Sequence, residues 1–242
     1  MTGAMTRAMT GEVNRAMSAL DSMAARRRLA LLALLALPLH AAAQTQADRE
    51  LIAAAERGDA ASVTRLLGAG ASVAARDAQG RTALVAATYG NHVPVARLLI
   101  QAGADVNAKD AIDNSAFLLA GARGFTEIVR LTLAAGADLK STNRFGGTAL
   151  IPACHYGHVE TVRVLLATQI DVDHVNRLGW TALLEAVILG DGGPAHTEIV
   201  RMLIARGANV NLADRDGVTP LAHARQRGQA AVVALLQKAG AR

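Results

Sequence analysis

The sequence predicts an all-α repeat protein, a row of about six two-helix units, and three observations carry that expectation. Gly-Ala pairs recur 33 residues apart at Gly70-Ala71, Gly103-Ala104 and Gly136-Ala137, and the same interval separates Gly207-Ala208 from Gly240-Ala241. A second marker, Thr82, Ser115, Thr148, Thr181 and Thr219, runs at intervals of 33, 33, 33 and 38. Hydrophobic residues make up 52% of the 242, but aromatics only 2%, which suits many small packing units better than one core built on large rings.

Each unit follows one physical course. The marker Thr or Ser opens a first helix as its N-cap, the hydroxyl oxygen accepting a backbone N–H. Small residues follow, as at Ala86-Ala87 and Ala153-Cys154, so neighbouring helices can approach closely. Gly124, Gly157 and Gly228 end that helix in the left-handed conformation, and Asn91 takes the same place. A second helix carries the pairs Leu66-Leu67, Leu98-Leu99, Leu165-Leu166 and Leu235-Leu236, and the Gly-Ala closes it. A polar turn such as "DVNAKD" leads onward.

The end units differ as caps of a stacked array should, with polar residues on their outer faces. The first, from Asp48, lacks the Thr-Ala-Leu opening. The last has Gln237 where inner units carry Ile100, Leu133, Leu166 and Ile204, and Arg225 where they carry Thr88, Gly121, Cys154 and Val187. Three local departures stand out. Thr168-Gln169-Ile170 replaces a Gly-Ala helix end and predicts a weaker cap, and Asp113-Asn114 replaces a turn glycine. Asp191 to Ala195, within "GDGGPAH", is an insertion predicted to form an irregular surface loop; it lacks the Lys-Ser/Thr ending of a phosphate-binding loop.

"GRTALVAATYGNHVPVARLLIQAGADVNAKD" and "GVTPLAHARQRGQAAVVALLQKAGA" resemble ankyrin repeats, and the resemblance covers roughly residues 48–242. It implies a curved solenoid of about six antiparallel helix pairs with projecting hairpin-like turns. It also implies a non-catalytic role in binding another protein.

The stretch Met23 to Gln44 reads as a secretory signal: Arg26, Arg27 and Arg28, an apolar run from Leu29 to Leu39, then small residues at Ala41 and Ala43, with cleavage expected after Ala43. Eleven apolar residues rise about 16 Å as a helix, about half of a bilayer core, so no stable membrane anchor is expected after cleavage. The leader predicts a periplasmic or secreted bacterial protein. Residues 1–22 read as a lead-in before a translation start at Met17 or Met23, or as a disordered extension. Five Arg of residues 1–43 account for most of the formal +5, leaving +2 for the remainder. A balance that even excludes the basic face nucleic-acid binding needs. One cysteine cannot form an internal disulfide.

"PACHYGHVE", with Cys154, His155 and His158, and "DVDHVN", with Asp171, Asp173 and His174, gather metal-ligating residue types within about twenty residues. In register they are ordinary: Cys154 holds a small buried helix position, and His158, like His92, is the His of a Gly-His pair that by the family resemblance braces neighbouring turns. No metal or cofactor is expected. The rival expectation is a hydrolase or metal-dependent enzyme using His155, Asp173, His174 and Glu185; a third is capture of a peptide or toxin in an immunity-like role.

The resemblance places a concave binding face on the residues before each Gly-His and around each turn glycine. That face holds Tyr89, Arg123, Arg144, Phe145, His155, Tyr156, Arg177, Leu178, Trp180, Ile188 and Leu189. Four of the six aromatics fall on it, accompanied by Arg, and these are the residue types that dominate binding hot spots. Trp180 and Tyr156 are the expected anchors, the partner is another protein, and the chain is expected to be monomeric.

Overall fold

The computed structural model describes residues 46–242. The expectations about the leader, its cleavage and the translation start fall on residues outside that range. Twelve helices and no strand occur among the described residues, paired into six units as the spacing predicts. Helical residues 46–56 form α1, followed by α2 (Ala60–Gly68). The second unit pairs α3 (Ala83–Tyr89) with α4 (Val93–Gln101), and the third α5 (Ala116–Arg123) with α6 (Thr126–Ala134). The fourth pairs α7 (Leu150–His155) with α8 (Val159–Leu166). In the fifth, α9 (Ala182–Ile188) packs on α10 (Pro194–Ala205); in the sixth, α11 (Pro220–Gln226) on α12 (Ala230–Lys238). First helices stack on first helices and second on second, so one continuous core of Ala, Leu, Ile and Val runs the length of the array. Among the described residues, no helix is long and apolar enough to cross a membrane.

Capping follows the marker residues in four units. Thr82, Ser115, Thr181 and Thr219 each accept the N–H three residues on, at 3.2–3.3 Å. Thr148 does not, against expectation: its Oγ1 is buried without a hydrogen bond, and α7 starts one residue late. Pro152 is the cause. In the other units the residue four past the cap donates to the cap's carbonyl, as Ala86 does to Thr82 at 2.9 Å. Pro152 has no N–H to give. Ile151 N donates to Thr148 O instead, at 3.3 Å, and is lost to the hydroxyl.

The other departures resolve locally. Asn91 and Asp113 are the two non-glycine residues at positive φ among the described residues, at 54° and 62°, each where sister units carry glycine. At the Thr168 helix end, the hydroxyl donates to Leu165 O at 2.6 Å and accepts Ile170 N at 3.2 Å. Arg206 of the next unit supplies further donors to Leu166 O and Thr168 O, so the missing Gly-Ala leaves few orphaned carbonyls. The insertion is less irregular than expected. Pro194 and Ala195 enter α10, and Asp191 ties the remaining loop down by accepting from Gly193 N and bonding His196 Nδ1 at 2.8 Å. His196 then braces the His155 carbonyl through Nε2 at 2.9 Å, as His92 braces Glu56 and His158 braces Ala122. At the C-terminal end, Arg225 and Gln237 are exposed, whereas Thr88, Gly121, Cys154 and Val187 are buried.

Candidate partner-binding groove

The turns and first-helix ends of the middle units line a groove of about 490 Å³. It is built on repeated turn geometry. Asp77, Asp110, Asn143, Asn176 and Asp214 occupy one register position, and each uses a single side-chain oxygen to accept the N–H groups two and four residues on. Each turn is thereby locked, and in the middle units the first of the two donor residues points its side chain outward. Phe145 and Leu178 are such residues, 52% and 50% exposed. Across from them stand the ends of the first helices, with Tyr156 at 60% and Leu189 at 41%. With Ile112, five of the six large apolar side chains exposed among the described residues line this one groove; the sixth, Val175, does not. Dispersed apolar exposure is normal, but apolar exposure gathered on one face marks an interaction site.

Of the residues assigned to the face from sequence, Tyr89, Arg123, Arg144, Phe145, His155, Tyr156, Leu178 and Leu189 line the groove. Arg177, Trp180 and Ile188 stand outside its lining. Arg177 lies along the turn edge, donating to Arg144 O at 2.7 Å. Trp180 is half-buried, at a position where Asn114 and Gly147 reach the groove in the preceding units. Tyr89 contributes less free surface than expected, since its hydroxyl donates to Asp110 at 3.1 Å and accepts from Asn114 at 3.1 Å. The sequence-derived face passed over Asn143, Pro152, Asn176 and, except as an enzyme candidate, Glu185, all of which line the groove.

The groove floor carries one acidic side chain, Glu185. It is buried; Asn176 Nδ2 donates to its Oε1 at 2.9 Å, and His155 Nδ1 lies 3.5 Å from its Oε2. Burial pushes the Glu185 carboxyl up to about 7, with the Asn176 hydrogen bond pulling back part of the way. Burial, and secondarily the neighbouring His196, lowers the His155 imidazole below its ordinary value. The His155 ring is stacked on Tyr156 with centroids 4.2 Å apart.

Of the rival enzyme set, the structure pairs His155 with Glu185 and engages the other two elsewhere. Asp173 accepts from Asn209 N at 2.9 Å, and His174 Nε2 bonds Gly146 O at 2.7 Å. Both serve turn-to-turn bracing. Cys154 is fully buried, and burial, with the nearby Glu185 adding to it, drives its thiol well above its ordinary value, the reverse of what a nucleophile needs. No group of three or more His, Cys, Asp or Glu able to hold a metal ion occurs among the described residues.

Stacked helix pairs, hydroxyl-capped first helices, histidine braces and a groove lined by turns and helix ends define a helical repeat scaffold of the kind that binds other proteins. A family model of ankyrin repeats, in three copies, matches residues 22–110 and 117–214, and the chain belongs to the ankyrin repeat family. It is similar to an ankyrin repeat domain from Acinetobacter baumannii AYE, with 55% identity over 79% of this chain and 98% of that one, at a TM-score of 0.77. The ankyrin repeat protein EF0377 is 36% identical, with the same coverages and a TM-score of 0.76. The ankyrin repeat domain of Bcl-3, a member of the IkappaB family, is 30% identical over 80% of this chain and 86% of its own, at 0.71. Among curated proteins, the putative ankyrin repeat protein YahD of Escherichia coli K12 is 46% identical over 57 residues, and this chain spans 28% of its length. Proteins of this fold generally act as non-catalytic scaffolds for protein–protein interaction.

Proposed function

We propose that this chain is an exported, non-catalytic scaffold that binds another protein in the groove between Ile112 and Leu189. The observation that carries this is the gathering of Ile112, Phe145, Tyr156, Leu178 and Leu189, all exposed, on one face, while the other large apolar side chains of the described residues are largely buried. Phe145 and Tyr156 come from adjacent turn and helix end of one unit and serve as the anchors, in place of Trp180. Both can be truncated without opening the core, which is built from buried aliphatic residues and Phe117.

The leader at Met23 to Gln44 delivers the chain to the periplasm or beyond, cut after Ala43, and the binding form is a monomer. N-terminal sequencing of the exported protein is expected to begin at Gln44; an intact Met1 on that form overturns export by this signal.

A photo-cross-linking residue at Leu178 is expected to trap a discrete partner, while one at Glu127, on a second helix, traps none. The double substitution Phe145→Ala with Tyr156→Ala is expected to abolish the Leu178 cross-link, since truncating an anchor loses about 2 kcal/mol or more of binding. Its thermal unfolding should move only slightly. Unfolding of the double variant makes these residues structural, and an undiminished cross-link puts the contact elsewhere.

A further inference from the structure

Resting on the groove reading above, we propose the chemistry of the partner: a polypeptide segment that carries carboxylates beside a large apolar side chain. The groove combines two unpaired arginines, an unpaired amide donor and exposed apolar surface on one lining.

The turn register supplies the first part. At Asp77, Asp110 and Asp214 one carboxylate oxygen locks the turn and the other is spent inside the protein, on Arg81, on the Tyr89 hydroxyl and on His223. In the two middle turns an asparagine replaces the aspartate. Because the turn's two partners are both N–H donors, the amide oxygen must face them, and the amide nitrogen must face away. Asn176 Nδ2 donates one of its protons to Glu185. Asn143 Nδ2 makes no hydrogen bond among the described residues, and Asn143 is half-buried on the groove lining. The middle of the groove thus presents a free donor at a position that is anionic in three other units.

Charge supplies the second part. Arg81, near the first units, is neutralised by Asp77 at 2.7 Å and Glu56 at 2.8 Å. Arg123 and Arg144, which line the groove, form no ion pair among the described residues. The Arg144 guanidinium lies 4.8 Å above the Phe145 ring, so cation and aromatic face form one composite surface. The single acid on the lining, Glu185, is buried and already holds Asn176. A basic segment entering this groove meets two uncompensated guanidiniums. An acidic one meets a guanidinium's paired N–H groups, the strongest carboxylate partner a side chain offers, beside Asn143. Apolar side chains flanking its carboxylates cover Phe145, Tyr156 and Leu178.

The test is selection of a phage-displayed library of random dodecapeptides on the full chain, with Phe145→Ala/Tyr156→Ala as counter-selection. Selected peptides are then measured by fluorescence anisotropy. The expected result is enrichment of Asp or Glu next to Phe, Leu, Ile or Trp. Affinity should fall as salt rises, and by about tenfold in Asn143→Asp and in Arg144→Gln. Asn143→Asp is the discriminating variant, because Asp77, Asp110 and Asp214 show that aspartate forms this turn; an unchanged unfolding transition verifies it. Groove-dependent peptides that are basic or uncharged, or acidic peptides indifferent to Asn143→Asp and Arg144→Gln, overturn the chemistry while leaving the groove reading intact. If no peptide depends on Phe145 and Tyr156, the groove reading itself fails, and this inference with it.

Discussion

Units five and six join the same two positions with opposite chemistry. In unit six the turn residue Asp214 bonds His223 of the first helix, nine residues on, at 2.7 Å. In unit five Asn176 bonds Glu185 over the same separation, at 2.9 Å. The end unit keeps its carboxylate in the turn. Burial opposes ionisation of Asp214, but the His223 hydrogen bond and two backbone N–H groups outweigh it, so the carboxyl stays below its ordinary value. The inner unit moves its carboxylate to the helix, deeper in the stack, where one amide cannot offset burial and the carboxyl rises to about 7. One scaffold can therefore place a carboxylate as a settled anion or as a proton-holding group, and the number of donors around it decides which.

The two pairs must respond to pH in opposite directions. Asp214 contributes stability above about 3.8, lost as pH falls through its lowered folded value. Glu185 holds in the folded state a proton that the unfolded chain releases near 4.5, so stability falls as pH rises from about 4.5 to about 7. The largest expected effect is therefore that of Glu185→Gln, which keeps an acceptor for Asn176 and removes the charge. Urea unfolding across pH 5 to 8 should lose its downward slope, and the variant should exceed the parent at pH 8 by up to about 3 kcal/mol. Parallel curves for the two proteins mean that Glu185 ionises freely.

Asn176→Asp sharpens the same comparison. It keeps the turn acceptor but sets a carboxylate against Glu185 in place of a donor. A loss of about 2 kcal/mol at pH 8 is expected, shrinking by pH 5 where a protonated Glu185 can donate. An equal loss at both pH values assigns the effect to the turn and not to the pair.

Unit four, which packs against Glu185 from the other side, offers two smaller effects. Pro152→Ala supplies the N–H four residues on for Thr148 O, in place of Ile151 N, and frees Ile151 N for the Thr148 hydroxyl. The restored cap is expected to add about 1 kcal/mol, a rise of about 3 °C in thermal midpoint. No gain means that the proline's fixed φ offsets the cap. Cys154→Ala is expected to cost about 1 kcal/mol, because little volume is removed. A thiol reagent should label native Cys154 slowly both in the parent and in Glu185→Gln, since burial is the main cause of its raised pKa. Rapid labelling of Glu185→Gln reassigns that cause to the carboxylate.

The chain's own order of residues determined the repeat length, the six units, the hydroxyl caps and the polar ends, because each is a local rule repeated every 33 residues. Asn91 in left-handed geometry and the burial of Cys154 follow from register alone. So does most of the groove, whose aromatic and arginine residues sit at fixed offsets from the turn. The structure was needed to show that Asp113 keeps the left-handed geometry of the glycine it replaces. Tertiary structure decided what depends on a neighbour's atoms. Trp180 and Phe145 are both turn residues, yet only Phe145 stays half-exposed on the groove, because the offset within the turn sets the direction of the side chain. Pro152 removes a bond whose loss falls on Thr148, four residues earlier. Glu185 looked like one member of a catalytic set; its state is fixed by burial, which the Asn176 hydrogen bond offsets only in part, and that burial arises only when the helices stack. Register is local and repeats along the chain, whereas burial and partnership across units belong to the stack and differ at each layer.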